Sequence, residues 1–581
     1  MPRVPWLMPA IVLVILYWLA RGAATFLFPG TMAQFMTLFY APLVLTLALI
    51  IWWLGLSRLA WADRLWGPLA LIATGLAIVP FVDRSMPLSL MLFALPLAAS
   101  LAIGWLLITR GAAGWGLRFG LLAICALAWG YYALLRCDGV DGNLVGDIQW
   151  RWSPSAEERF LAERTSAADQ KPALPAAETP VQLVATSADW PEFRGVNRDS
   201  RRAGVRIDPN WKDHPPQEQW RKRIGPGWGT FCVVGDYLFT QDQRGEEEAV
   251  VCLDRDTGEE RWVHTYKSRF WEVVAGAGPR ATPTFHEGKL FAFGGSGILN
   301  CLDAATGNLL WSKNVAEDAK ATLPMWGFSS SPLVAHGLVT VFAGGPDGSE
   351  VIAYDIATGE RKWSAGKGKL SYCSTQLQRV GEHEQLLIAS DEGLESFDPE
   401  TGKLLWDHEW AIQGMARVVQ PHWLGDGKLL VGTGYGHGTR LLTITPQGDE
   451  WNIDEGWTSK ELKPYFNDFV THEGFAYGFD GSLFTCLDLS TGKRAWKKGR
   501  YGHGQVLLLS EQGLLVVVSE AGEVILLEAN PQKHVELGKL AALKGKTWNH
   551  PVVAGDQLLV RNGEEMASYK LALEQPVQQP Q

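Results

Sequence analysis

Two hydrophobic rhythms divide this chain. Up to residue 136 the apolar residues come in long runs: Leu7–Phe28, Phe35–Leu56, Leu69–Val82, Leu88–Thr109 and Leu117–Leu135. Most reach the roughly 20 residues that a helix needs to cross a bilayer, and the third is short. A cleavable signal peptide supplies one such run, not five. The pattern therefore predicts a domain of five transmembrane helices over residues 1–136. From residue 189 the rhythm changes to short alternating runs separated by Gly and Asp turns, the signature of antiparallel strands. Between the two, in residues 137–188, Trp150–Ser166 reads as one short helix. Gln170–Asp189 reads as an Ala/Pro-rich spacer, extended and mobile. Residues 575–581 read as a disordered tail.

Within the strand-rich part, 189–574, one phrase recurs: an apolar run, Asp, a Thr-Gly turn, then Trp. It reads VCLDRDTGEERW (Val251–Trp262), NCLDAATGNLLW (Asn300–Trp311), IAYDIATGERKW (Ile352–Trp363), ESFDPETGKLLW (Glu395–Trp406) and TCLDLSTGKRAW (Thr485–Trp496). The tryptophans are 49, 52, 43 and 90 residues apart. The last step is double the others, so one repeat has lost its marker, and LLTITPQGDEWNI (Leu441–Ile453) fills that gap. A period of this size signals a repeat architecture, and four strand signals per repeat describe a propeller blade. Seven units fall near residues 229–265, 280–315, 330–366, 374–410, 416–457, 467–499 and 504–540. An eighth, His550–Leu571, lacks its outermost strand, while Glu218–Gly225 resembles such a strand with no blade before it. Joining the two closes the ring and removes an open sheet edge. The expected fold is an all-β eight-bladed propeller preceded by an α-helical membrane domain.

The Leu-Asp strand, Thr-Gly turn and Trp resemble the pyrroloquinoline quinone (PQQ) repeat of quinoprotein dehydrogenases. The same repeat builds the non-catalytic propeller lipoprotein of the outer-membrane barrel assembly machine. DWPEFRG (Asp189–Gly195) resembles the entry segment ahead of the first blade in such proteins. Five helices followed by a propeller is similar to the layout of membrane-bound quinoprotein glucose dehydrogenase. That enzyme's catalytic domain is much longer, and the inter-blade insertions that complete its substrate site have little room here. No two cysteines are adjacent, so the vicinal disulfide of some quinoprotein alcohol dehydrogenases is absent.

Arginines give the orientation. Arg3, Arg58, Arg64, Arg110 and Arg118 fall on one side of a five-pass arrangement, Arg84 and Arg136 on the other. The richer side is cytoplasmic. This places the N-terminus in the cytoplasm and the propeller in the periplasm, anchored to a bacterial inner membrane. Net charge is −10 with no clustered basic patch, which argues against nucleic acid as a partner. Cys252, Cys301 and Cys486 occupy one slot in three blades and read as small buried side chains.

Candidate chemistry sits in the loops entering each blade, which gather at one mouth of the channel. These loops offer Trp228, Arg280, Trp326, Arg417, Asn467, His503, Trp548, Asn549 and His550 as ligand-binding or cofactor-binding residues. Asp468 is a candidate general base. Arg280 and Arg417 carry forks suited to carboxylates, of which PQQ has three. The tryptophans offer stacking surfaces, and Asn467 and Asp468 are oxygen donors of the kind Ca²⁺ takes. No spacing defines a metal site. Each residue also has a structural use in turns or blade packing. Two functions follow. The first is a periplasmic propeller that binds a ligand or partner protein at its polar rim without catalysis. The alternative is a PQQ- and Ca²⁺-dependent dehydrogenase of sugars or alcohols, passing electrons to membrane quinone.

Overall fold

A computed structural model describes residues 6–28, 32–87, 90–109, 115–143, 145–168, 182–412, 414–448 and 450–574. Arg3, Arg110, most of the Ala/Pro-rich spacer and the 575–581 tail lie outside the described residues. The chain divides into two compact units, residues 1–155 with 273–275, and residues 156–272 with 276–581.

Five helices in the first unit are long and apolar enough to cross a membrane: α1 (Met8–Leu27), α2 (Met36–Leu56), α3 (Trp61–Phe81), α4 (Leu90–Ile108) and α5 (Trp115–Ala133). The third is not short: it starts eight residues before the apolar run Leu69–Val82. Asp63 and Arg64 interrupt the run in sequence but not the helix. Asp63 lies in the first turn of α3, where the helix dipole favours a carboxylate. It accepts a hydrogen bond from Arg118 Nε at 2.9 Å. Arg64 Nε and Nη1 donate to Leu59 O (2.9 Å) and Leu54 O (2.5 Å). The Arg118–Asp63 pair joins the start of α5 to the start of α3, so their arginines share one end of the bundle, as the charge pattern requires. After α5 the chain forms a hairpin, β1 (Leu135–Val140) against β2 (Gly146–Trp150). Trp150 is therefore a strand residue, and the following helix, α6, is Ala156–Ala168.

The second unit contains eight blade sheets, each with a four-stranded antiparallel core. Blade 1 runs from Cys232 to Lys267, blade 2 from Thr284 to Asn314, blade 3 from Leu333 to Ala365 and blade 4 from Gln376 to Glu409. Blade 5 runs from His422 to Ser459, blade 6 from Val470 to Arg500 and blade 7 from Gln505 to Ala541. Blade 8 takes three strands from Val552 to Lys570 and its outermost strand, Gln217–Arg223, from ahead of blade 1. The predicted closure is thus the one the chain adopts. Blade 7 also carries a short parallel strand, Arg201–Arg202, on its inner edge.

The repeated phrase has a mechanical meaning. Its Asp caps the turn: Asp355 Oδ1 accepts from the backbone N–H groups of Ala357 and Thr358 (both 2.9 Å) and from Thr358 Oγ1 (3.1 Å). Asp254 and Asp398 do the same in blades 1 and 4. Backbone hydrogen bonding from Thr358 and Ala357 holds Asp355 below the usual carboxylate range, partial burial opposing it. The glycine of the turn then receives the marker Trp of the preceding blade. A Cβ on Gly359 would lie 2.8 Å from the Trp311 ring, and one on Gly402 would lie 2.6 Å from Trp363. These turns have positive φ, which glycine adopts without strain. Each indole also donates across the blade boundary: Trp262 to Ala304 O (3.2 Å), Trp311 to Ile356 O (3.2 Å) and Trp363 to Pro399 O (3.3 Å). Trp220 closes the circle on Arg255 O (2.8 Å).

Blade 5 departs from the pattern. Its outer hairpin is lengthened, Gly438–Gln447 pairing with Glu450–Ser459. The tryptophan that docks on blade 6 is Trp457, not Trp451 of the phrase that fills the gap in sequence. Trp457 Nε1 donates to Leu489 O (2.9 Å), and its ring lies 2.6 Å from where a Cβ on Gly492 would be. Trp406, facing the irregular blade, turns back to Gln385 Oε1 (2.7 Å) in its own sheet. Cys252, Cys301 and Cys486 are fully buried and unpaired, as their shared slot implies.

Truncating Trp457 to Ala is expected to cost about 3 kcal/mol, as for other large aromatic truncations, and Trp451 to Ala about 1 kcal/mol. Urea unfolding of the full chain reads the difference; equal losses, or the reverse order, would contradict the docking assignment.

Candidate functional site

The entries to the inner strands are joined by a ring of hydrogen bonds around the channel. In six successive steps, the backbone N–H of an entry residue donates to the side chain of its counterpart in the next blade. Thr230 donates to Thr282 Oγ1 (2.9 Å), Thr282 to Ser331 Oγ (3.0 Å) and Ser331 to Ser374 Oγ (2.9 Å). Ser374 donates to Gln420 Oε1 (2.9 Å), Gln420 to Asp468 Oδ1 (2.8 Å) and Asp468 to Gln505 Oε1 (3.3 Å). Gln505 Nε2 then reaches Trp548 O (3.1 Å), and Asn549 Nδ2 reaches Gly229 O (2.7 Å), returning to blade 1. Asp468 and Asn549 are therefore members of a structural circuit, which satisfies backbone groups that no ladder reaches.

Beneath this ring the entry segment crosses the channel. Trp190 pairs with Val233 of blade 1, and Pro191 O accepts from Phe285 N in blade 2 (2.8 Å). Arg198 donates to Ser331 O (2.9 Å) and Pro332 O (3.0 Å) at blade 3, and Arg194 to Phe469 O (3.1 Å) at blade 6. Arg194 Nη1 lies 3.6 Å from Asp468 Oδ1, and His550 Nε2 lies 3.7 Å from Asp468 Oδ2. Burial raises the Asp468 pKa, with Arg194 and the Gln420 N–H opposing. Burial, reinforced by Arg194, pushes His550 down to about 3, so it is neutral.

Above the ring, aromatic residues from neighbouring blades touch in an arc. Trp228 and Trp548 have centroids 5.2 Å apart, Trp548 and Phe466 4.8 Å, and Phe466 and His503 5.8 Å. Tyr465 and Tyr435 extend the arc at 5.0 Å. Trp326 meets Tyr372 at 5.1 Å on the far side, over blades 3 and 4. Of the candidate residues, Trp228, Asn467, Asp468, His503, Trp548, Asn549 and His550 come together over blades 6, 7, 8 and 1. Trp326 and Arg280 stand apart from them. Phe466, Lys546 and Arg194 complete this region without having been singled out from the sequence. Phe466 directly precedes two polar candidates, Asn467 and Asp468, and Arg194 lies in the entry segment, whose channel crossing no local pattern encodes.

Both candidate arginines direct their guanidinium groups to the protein's own oxygens. Arg417 is fully buried, donating to Ser390 O and Trp410 O. Arg280 donates to Gly278 O, Gly276 O (3.0 Å) and Glu272 Oε1 (3.1 Å), and stacks over Phe270. Burial lowers both pKa values to about 10. A tricarboxylate such as PQQ would need their forks, and both are engaged internally. Trp228 and Trp548 are tilted by 41° and form no parallel slot. Both oxygens of Asp468 face protein groups. Among the described residues, no cluster of three or more His, Cys, Asp or Glu side chains is arranged to hold a metal ion. The residues present do not fit PQQ with Ca²⁺.

A protein family described as outer membrane protein assembly factor BamB, built on the PQQ repeat, matches residues 250–498. The outer membrane protein assembly factor BamB of Burkholderia pseudomallei (strain K96243) is 34% identical over 301 residues, 49% of this chain and 69% of that protein. The chain belongs to this family of PQQ-repeat propellers. A quinohemoprotein alcohol dehydrogenase of Comamonas testosteroni is 39% identical over 83 residues, covering 13% of this chain and only 11% of that enzyme. The crystal structure of quinohemoprotein alcohol dehydrogenase from Comamonas testosteroni aligns with a TM-score of 0.48 at 14% identity, covering 73% of this chain and 86% of that one.

Asp468→Asn keeps an acceptor for the Gln420 N–H but leaves Arg194 buried without its carboxylate. Loss of one partner of a buried pair is expected to destabilise the propeller by about 3 kcal/mol. Chemical denaturation measures this; an unchanged midpoint would contradict the structural role given to Asp468.

Proposed function

We propose that this chain is a membrane-anchored, non-catalytic propeller whose rim binds a protein partner outside the cytoplasmic membrane. The observation that carries this reading is the division of labour at the mouth. The ionisable candidates, Arg280, Arg417 and Asp468, hold the fold together, while flat aromatic faces remain partly accessible. Aromatic surfaces on rigid loops are what protein interfaces use as anchors. The assembly factor of Burkholderia pseudomallei, named for a role in outer membrane protein assembly, supports a partner in that same envelope pathway. The arginine distribution supports a cytoplasmic N-terminus and a periplasmic propeller at the inner membrane. The loop segment holding Leu323 and Met325 adds exposed apolar side chains beside the mouth, Met325 being 76% exposed.

Two measurements in intact cells of the native host test this. Alkaline phosphatase fused after residue 574 is expected to be active, because the propeller lies outside the cytoplasm; an inactive, stable fusion would overturn the orientation. A photo-crosslinking residue at Met325 is expected to give a discrete protein adduct, and one at Leu404 on the outer strand of blade 4 none. Adducts at Leu404 and none at the mouth would overturn the binding surface.

A further inference from the structure

The buried polar atoms at the mouth indicate what it takes. Asn467 and Asn549 are almost completely buried, at 1% and 2% exposure. Each fixes its amide on backbone carbonyls, Asn467 Nδ2 on Gly504 O (2.5 Å) and Asn549 Nδ2 on Gly229 O (2.7 Å) and Gly227 O (3.2 Å). Those bonds set the orientation of both amides. They leave Asn467 Oδ1 and Asn549 Oδ1, two acceptors, without a hydrogen-bond partner. A buried acceptor lacking a donor is costly and calls for an explanation.

Aromatic faces and a carboxylate stand beside these acceptors. Phe466 directly precedes Asn467, Trp548 directly precedes Asn549, and the two rings touch, so the acceptors and the aromatic faces belong to the same two loops. Glu520 accepts from Trp548 Nε1 (2.8 Å) and from the His503 backbone N–H (3.1 Å), placing a carboxylate against the arc. The faces already hold a cation. Lys546 Nζ lies 4.5 Å from the Trp548 ring centre and 5.1 Å from that of Trp228. Acceptor oxygens, a carboxylate and indole faces together attract an organic cation and disfavour an anion.

We propose that this part of the mouth receives a lysine or arginine side chain from the protein partner, with Lys546 as the internal occupant that the incoming cation displaces. The inference rests on the reading of the mouth as a partner-binding surface, and it specifies the partner's anchor. It inverts the polarity of a site for an anionic cofactor: the ligand contributes donors and positive charge, and the propeller contributes acceptors.

Calorimetry on the detergent-solubilised full chain tests it, with acetyl-Ala-Lys-Ala-amide as the probe and its norleucine counterpart as the neutral control. The lysine peptide is expected to bind at least about tenfold more tightly than the norleucine peptide, the scale of a desolvated cation–π contact. Trp548→Leu should remove that selectivity, while Trp228→Phe, which keeps a ring, should retain most of it. Lys546→Met should tighten lysine-peptide binding about fivefold by removing the competitor. Equal binding of the two peptides, or unchanged or weaker binding by Lys546→Met, would overturn the inference. Crosslinking at Met325 without lysine selectivity removes this inference alone; lysine selectivity without any crosslink at the mouth removes the partner-binding reading and, with it, the assignment of the cation to a protein partner.

Discussion

The pairing of Gln217–Arg223 with Glu565–Lys570 is the constraint on which the rest of the propeller depends. Without it blade 8 would have three strands and an open edge, and blade 1 would have no neighbour to dock its Thr-Gly turn. Trp220, carried by that closing strand, stacks on Gly258 of blade 1 and donates to Arg255 O. The hydrogen-bond ring at the mouth also needs both ends of the circuit, because Asn549 of blade 8 must reach Gly229 at the entry to blade 1. An exposed sheet edge invites pairing with another chain, and full closure removes it.

Closure also decides which side chains remain for chemistry. A channel lined by eight strand entries presents backbone N–H groups that no sheet ladder can satisfy, and the chain answers with Thr, Ser, Gln, Asp and Asn at equivalent positions. Asp468 is used in this way, and the buried Arg194 beside it balances its charge. Arg417 and Arg280 likewise bind carbonyls and a carboxylate of their own loops. What remains above the ring is aromatic. The same loops that would suit a cofactor in outline therefore offer stacking faces and unpaired amide oxygens instead of free guanidinium groups.

The fold was legible because its signal is periodic: the Asp, Thr-Gly and Trp positions recur, and each does the same mechanical task in several blades. Blade 5 shows the limit. Its lengthened hairpin moves the docking Trp to 457, six residues beyond the tryptophan the phrase leads one to expect. The position of the candidate site was legible too, since loops entering the blades must converge on one mouth. The roles were not. Whether Asp468 is a base or a ring member depends on Gln420 and Gln505, one blade away on either side. Whether Arg417 is free depends on Ser390 and Trp410. The α3 helix was underestimated for a similar reason, because Asp63 finds Arg118 in a helix more than fifty residues later.

The central claim is that this propeller has kept the PQQ repeat as architecture without the means to hold the cofactor. Calorimetric titration of the purified full chain with PQQ, with and without Ca²⁺, tests it directly. The account predicts no stoichiometric heat at micromolar concentrations in either condition. Calcium-dependent binding of one PQQ per chain with sub-micromolar affinity would contradict it and return the chain to the dehydrogenases.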